Sequence, residues 1–124
     1  MDIAAIQQSL REFAAERDWD RFHSPKNLAA ALSVEAAELL EPFQWLTEDE
    51  SRRLTERPEE LASVREEMAD VLIYLLRLAD QLNVDLNRAV VDKMRRNAEK
   101  YPVALARGNA VKYNRRPQDP PNAP

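Results

Sequence analysis

The sequence predicts an all-α protein, a bundle of about four helices per chain. Three observations carry this. The 124 residues include a single glycine and few runs of valine, isoleucine or threonine, whereas a sheet-rich fold needs tight turns and β-branched strands. Apolar residues recur at helical rather than alternating spacing. Residues that start and stop helices bracket those periodic stretches. The length suits one domain, and an apolar fraction of 44% is enough for a core.

The first helix is expected from Asp2, a good N-cap, to about Asp18, with Ile3, Ile6, Leu10 and Phe13 as its buried stripe. DWDRFHSPKN then reads as a loop. A second helix starts near Pro25 or Asn27 and runs to about Leu40, where Pro42 ends or kinks it. TEDESRRLTERP is a charged connector with room for a short helical turn. Pro58 and the acids after it open a third helix over 58–82. Asp85 caps a fourth, which runs to about Tyr101 and stops at Pro102. The rest is expected to be irregular. Residues 1–113 are read as the domain, and 114–124 as a disordered tail with four prolines in its last eight residues.

The third helix is apolar on nearly every face over 71–78, VLIYLLRL, and the second is nearly so apart from its acids. A helix apolar all round needs burial on all sides, which a short chain cannot provide. The expectation is a homo-oligomer, a dimer or tetramer, with subunit helices packed face to face.

The net charge of −4 argues against general nucleic-acid binding. The charge is uneven, however: Lys93 to Arg116 holds eight lysines and arginines and one acid, Glu99. That segment is either a solvated basic face or a hold for a polyanion. With no cysteine, disulfides and thiolate metal sites are excluded. MDIAAIQQSL does not read as a secretory leader, and no stretch approaches a membrane span, so the expected location is cytoplasmic, with no membrane partner.

Glu35 and Glu38 stand three apart on the second helix, and Glu67 and Asp70 three apart on the third. That spacing places each pair on one helix face. Each pair sits in apolar sequence, and ionised carboxylates are expensive to bury without positive charge. A helix hairpin bringing the pairs together would concentrate four acids, which repel one another unless a divalent cation neutralises them. Oxygen-only ligands suit magnesium. The competing reading is four ordinary surface acids paired with arginines. Glu66 is rotated about 100° from Glu67 and faces solvent or an arginine. Glu41 is a candidate for an outer contact.

Glu35-Ala-Ala-Glu38 followed by Glu67-Met-Ala-Asp70 resembles the E-x-x-E…E-x-x-D signature of the MazG-like, all-α nucleoside triphosphate pyrophosphohydrolases. FAAERDWDRFHSPKNL, EPFQWL, EEMADVLIYLLRLA, VDLNRAVVDKMRRNAEKYPV and GNAVKY resemble its dCTP pyrophosphatase branch. The resemblance implies magnesium held by Glu35, Glu38, Glu67 and Asp70. It also implies hydrolysis between the α and β phosphates to a monophosphate and pyrophosphate, and dimers or tetramers with sites formed between subunits. Such an enzyme clears surplus or modified deoxycytidine triphosphates from the nucleotide pool. Glu35 or Glu38 would take the proton of the attacking water.

Lys93, Asn97 and Lys100 or Tyr101 share a face of the fourth helix that suits a triphosphate, while Arg96 lies off it. Lys112 and Tyr113 lie in the irregular segment, within reach of a neighbouring subunit's site. Trp19, His23 and Trp45 are candidates for a base pocket, indole faces for stacking and His23 for hydrogen bonding. Tyr74, one turn beyond Asp70, either packs on the deoxyribose or belongs to the core at an oligomer seam. Phe22 and Phe43 are expected in the core. Two alternatives stand beside this reading. One is a related pyrophosphohydrolase acting on dUTP or phosphoribosyl-ATP. The other is a non-catalytic helical module that binds nucleotides or regulates.

Overall fold

The computed structural model describes residues 1–115, and no strand occurs among them. Six helices follow one another: α1 (Ile3–Glu16), α2 (Pro25–Leu40), α3 (Glu48–Arg52), α4 (Pro58–Gln81), α5 (Leu86–Lys100) and α6 (Val103–Ala106). The four long ones, α1, α2, α4 and α5, are the expected helices, and the all-α class holds. The charged connector forms α3, with a capping box between Thr47 and Glu50. The stretch after Pro102, expected to be irregular, contains α6 and a 3-10 turn at Tyr113–Arg115. From residue 116 the proline-rich tail lies outside the described residues.

Residues Met1–Val84 form one compact unit and those from Asp85 a second. In the first, Asp2 caps α1 by accepting from the Ala5 N–H at 3.0 Å. Ser24 caps α2 by accepting from the Asn27 N–H at 3.2 Å, with Pro25 in the first turn. As expected from Pro42, α2 ends at Leu40, and a 3-10 turn at Glu41–Phe43 follows it directly.

Helices α1 and α4 both end in a Schellman arrangement without glycine. After α1, Asp18 adopts φ +53, its N–H donates to Ala15 O, and Trp19 N–H donates to Ala14 O at 2.9 Å. After α4, Asn83 does the same at φ +53, with Val84 N–H donating to Ala79 O at 2.9 Å. Aspartate and asparagine tolerate this left-handed backbone better than most residues.

The core lies where α2 and α1 pack on α4. Leu28 of α2 and Leu76 of α4 are fully buried, joined by Ala14, Leu54, Val64 and Ala79. Gln7 Nε2 donates to Leu76 O at 3.0 Å, and Arg11 Nε meets Asp80 Oδ2 at 2.9 Å, both tying α1 to α4. The expected all-round burial of 71–78 is not reached within one chain, because Ile73 and Leu75 remain exposed. Phe22, expected in the core, is 55% exposed with the Arg21 guanidinium over its ring, because the turn at Asp20–Phe22 directs it away from the helix seam. Phe43 is half-buried. No helix among the described residues is long and apolar enough to cross a membrane.

In the second unit, α5 is capped by Asp85, which accepts from the Arg88 N–H at 3.1 Å. Beyond α6, Gly108 at φ +80 makes a turn that favours glycine.

Candidate active site

Packing α2 against α4 brings Glu35, Glu38 and Glu67 together, with one carboxylate oxygen of each within 4.8 Å of the others. All three are half-buried. Among the described residues, Glu35 Oε2 and Glu67 Oε2 are the side-chain oxygens buried without a hydrogen-bond partner. Buried acceptors left unpaired are strongly disfavoured unless something else satisfies them.

The electrostatics follow from this crowding. Burial, then the Glu38 carboxyl, then the charges of Asp70 and Glu67 push Glu35 up from 4.5 to about 7. A hydrogen bond between two carboxyls exists only when one is protonated, so the Glu38 contact favours the neutral form of Glu35. Burial, followed by the charges of Glu38 and Asp70, also raises Glu67. Asp70 stands outside the tight trio but acts on it through its charge. No arginine or lysine takes part in any of these shifts, so the reading of these acids as ordinary arginine-paired surface acids does not fit. The set is an oxygen-donor cluster that could hold a metal ion.

Asp70 also links the cluster to a cavity of about 350 Å³. Asp70, Ile73, Tyr74 and Arg77 recur at helical spacing along α4 and form one wall, while Leu10 and Phe13 of α1 form another. Trp19 and His23, from the loop between α1 and α2, complete it. The Schellman end of α1 sets Trp19 against Phe13, ring centroids 5.7 Å apart and edge-on. Trp19 meets His23 edge-on at 6.3 Å. Burial and the Arg77 charge lower the His23 pKa, while Asp20 partly opposes them.

Of the expected site residues, Glu35, Glu38, Glu67, Asp70, Trp19, His23 and Tyr74 thus converge in the first unit. Trp45 does not join that cavity, because the turn after α2 leaves it 86% exposed. Glu41 and Glu66 are exposed. Lys93, Asn97, Tyr101, Lys112 and Tyr113 belong to the second unit, where Lys93 and Asn97 lie exposed on α5. There, Tyr101 and Tyr113 meet edge-on at 6.2 Å, and Lys100 Nζ sits 4.9 Å from the Tyr113 ring. Sequence reasoning missed Arg77, which lines the cavity and binds both Asp20 and His23. The available signal was an arginine inside the apolar run 71–78, seven residues after Asp70 and therefore on its face.

Comparison with known proteins shows the family. A MazG-like family model matches residues 30–115, the stretch that carries all four carboxylates. The chain is 51% identical over 113 residues to dCTP pyrophosphatase 1 of Rattus norvegicus, covering 91% of this chain and 66% of that one. It is 50% identical over 112 residues to dCTP pyrophosphatase 1 of Homo sapiens, covering 90% and 66%. The chain thus spans just under two thirds of the length of these relatives. A crystal structure of a pyrophosphatase from Archaeoglobus fulgidus DSM 4304 superposes with a TM-score of 0.74 at 46% identity, over 82% of this chain and 94% of that one. With the family match running through α2, α4 and the carboxylates they bring together, the chain belongs to the MazG-like family.

Proposed function

We propose that the chain hydrolyses deoxynucleoside triphosphates, dCTP and modified dCTP foremost, to the monophosphate and pyrophosphate. The observation that carries this is the pair of buried, unpartnered oxygens, Glu35 Oε2 and Glu67 Oε2, in a carboxylate cluster that Asp70 joins to an aromatic cavity. The similarity to the dCTP pyrophosphatases named above supports the choice of base.

The donor set fits magnesium, with Glu35, Glu38, Glu67 and Asp70 as its holders. A bound divalent cation supplies neutralising charge and a Lewis acid for phosphate oxygens. The chain's own groups do the rest. Glu35 or Glu38 accepts the proton of the water that attacks the α phosphorus, and the bond to the β-phosphate oxygen breaks. Trp19, His23 and Tyr74 hold the base and sugar and keep water out of the cavity. Lys93, Asn97, Tyr101, Lys112 and Tyr113 are proposed as phosphate contacts, and Trp45 as a second stacking face, in an assembly of two or four copies. A cytoplasmic nucleotide pool is the proposed setting.

The test is pyrophosphate release from a panel of deoxy- and ribonucleoside triphosphates with magnesium, including 5-methylated dCTP. The expected result is turnover of dCTP and its 5-methyl form, abolished in Glu38→Gln. Turnover confined to dUTP or phosphoribosyl-ATP would replace the base assignment. No turnover of any triphosphate would leave a non-catalytic module.

A further inference from the structure

Arg77 is the buried charged residue of the described chain, its side chain only 5% exposed. It interrupts an apolar run, and a buried guanidinium is tolerated only where its donors are engaged. Its NH2 group reaches Asp20 Oδ1 at 2.6 Å, and its Nε donates to His23 Nδ1 at 3.3 Å. NH1 lies 3.7 Å from Asp80 Oδ2, which Arg11 also holds. Asp20 and His23 both belong to the loop between α1 and α2, so one side chain of α4 clamps that loop.

The clamp has a chemical consequence for His23. Arginine has donors and no acceptor, so the ring nitrogen facing Arg77 must accept. A nitrogen that accepts carries no proton, which leaves the proton of the neutral ring on Nε2. Nδ1 turns toward Arg77, Nε2 lies on the far side of the ring, and His23 itself is a wall of the cavity.

We propose that Arg77 is a positioning residue that holds His23 in the Nε2–H tautomer, making His23 an obligatory hydrogen-bond donor to the bound base. This rests on the nucleotide reading above and deepens it. Among pyrimidines, cytosine offers acceptors at both O2 and N3, whereas N3 of uracil and thymine carries a hydrogen. A His23 ring that can only donate from Nε2 therefore favours cytosine where it meets the N3 edge, at which uracil would set donor against donor. Stacking on Trp19 alone makes no such distinction.

His23 is the only histidine in the chain, so a long-range proton–nitrogen correlation spectrum reads its tautomer without ambiguity. The wild type is expected to show the Nε2–H pattern at neutral pH. Arg77→Gln, whose amide oxygen accepts from a protonated Nδ1, is expected to lose that pattern and to lower kcat/KM for dCTP relative to dUTP by about tenfold, the worth of one hydrogen bond, through KM rather than kcat. Because a buried arginine is a folding hazard, Asp20→Asn is the second variant: Asp20 is 59% exposed, and the same changes are expected at smaller size. An Nδ1–H or doubly protonated wild-type ring overturns the proposal, whatever the activity. So does a variant in which the tautomer shifts while selectivity stays unchanged. A protein that binds no nucleotide overturns the nucleotide reading and the selectivity with it, while the spectrum still decides whether Arg77 sets the tautomer.

Discussion

At the residue scale, the carboxylate trio makes stability depend on pH and cation together. The folded-state pKa of Glu35, about 7, lies above its ordinary 4.5, so the folded chain binds this proton more tightly than the unfolded chain does. The contribution to stability is full below 4.5 and is lost as pH rises to about 7. Glu67 acts in the same direction. In cation-free protein, the melting temperature of Glu35→Gln minus that of wild type should therefore grow across this window, and magnesium should shrink the difference. A difference independent of pH in calorimetry would contradict the raised pKa. Asp70→Asn should lower turnover of dCTP by about a hundredfold or more, since several kcal/mol of charge stabilisation goes with a lost cation ligand. Melting without cation should not fall, and should rise where the repulsion of Asp70 on Glu35 and Glu67 is relieved, which separates a chemical loss from an unfolded variant. The four acids were legible because each pair repeats at three residues within apolar sequence. Arg77 was not, because its place on the face of Asp70 does not by itself reveal hydrogen-bond partners, Asp20 and His23, that lie more than fifty residues away.

At the element scale, most helix boundaries are written in local chemistry. Asp2, Pro25, Pro58 and Asp85 start helices where the sequence places them. The Thr47–Glu50 capping box sets the start of α3, and Thr47→Ala should destabilise the chain by about 1 kcal/mol in urea unfolding. The seam of α2 with α4 should be far more sensitive. Leu28→Ala and Leu76→Ala each remove a fully buried side chain and should cost about 2–5 kcal/mol. If they cost no more than Thr47→Ala, this seam is not the core. The ends of α1 and α4 fall within about two residues of where the sequence places them, but their left-handed turns at Asp18 and Asn83 were illegible, since neither is the glycine that usually announces a Schellman turn. One of them nevertheless positions Trp19.

At the scale of the whole molecule, the first unit buries few apolar side chains fully and leaves Val34, Leu40 and Met68 more than half exposed. These belong to α2 and α4 or flank the acids there, which supports the proposal that a second copy of the chain covers them. Sedimentation equilibrium should find a dimer or tetramer, and Met68→Glu should shift it toward monomer, because a charge in a dry apolar contact is disfavoured. A monomeric wild type at micromolar concentration would remove the proposed assembly and the shared site with it.

Sequence by itself determined the helical class, the four long helices and the four acids. Each depends on neighbours within one or two turns, where spacing translates directly into geometry. Tertiary structure decided that three of those acids crowd while Asp70 faces the cavity, that Trp45 stays outside it, and that Arg77 reaches across to Asp20 and His23. Those outcomes depend on distances between helices and on which charges become buried together, and helical periodicity carries no information about either.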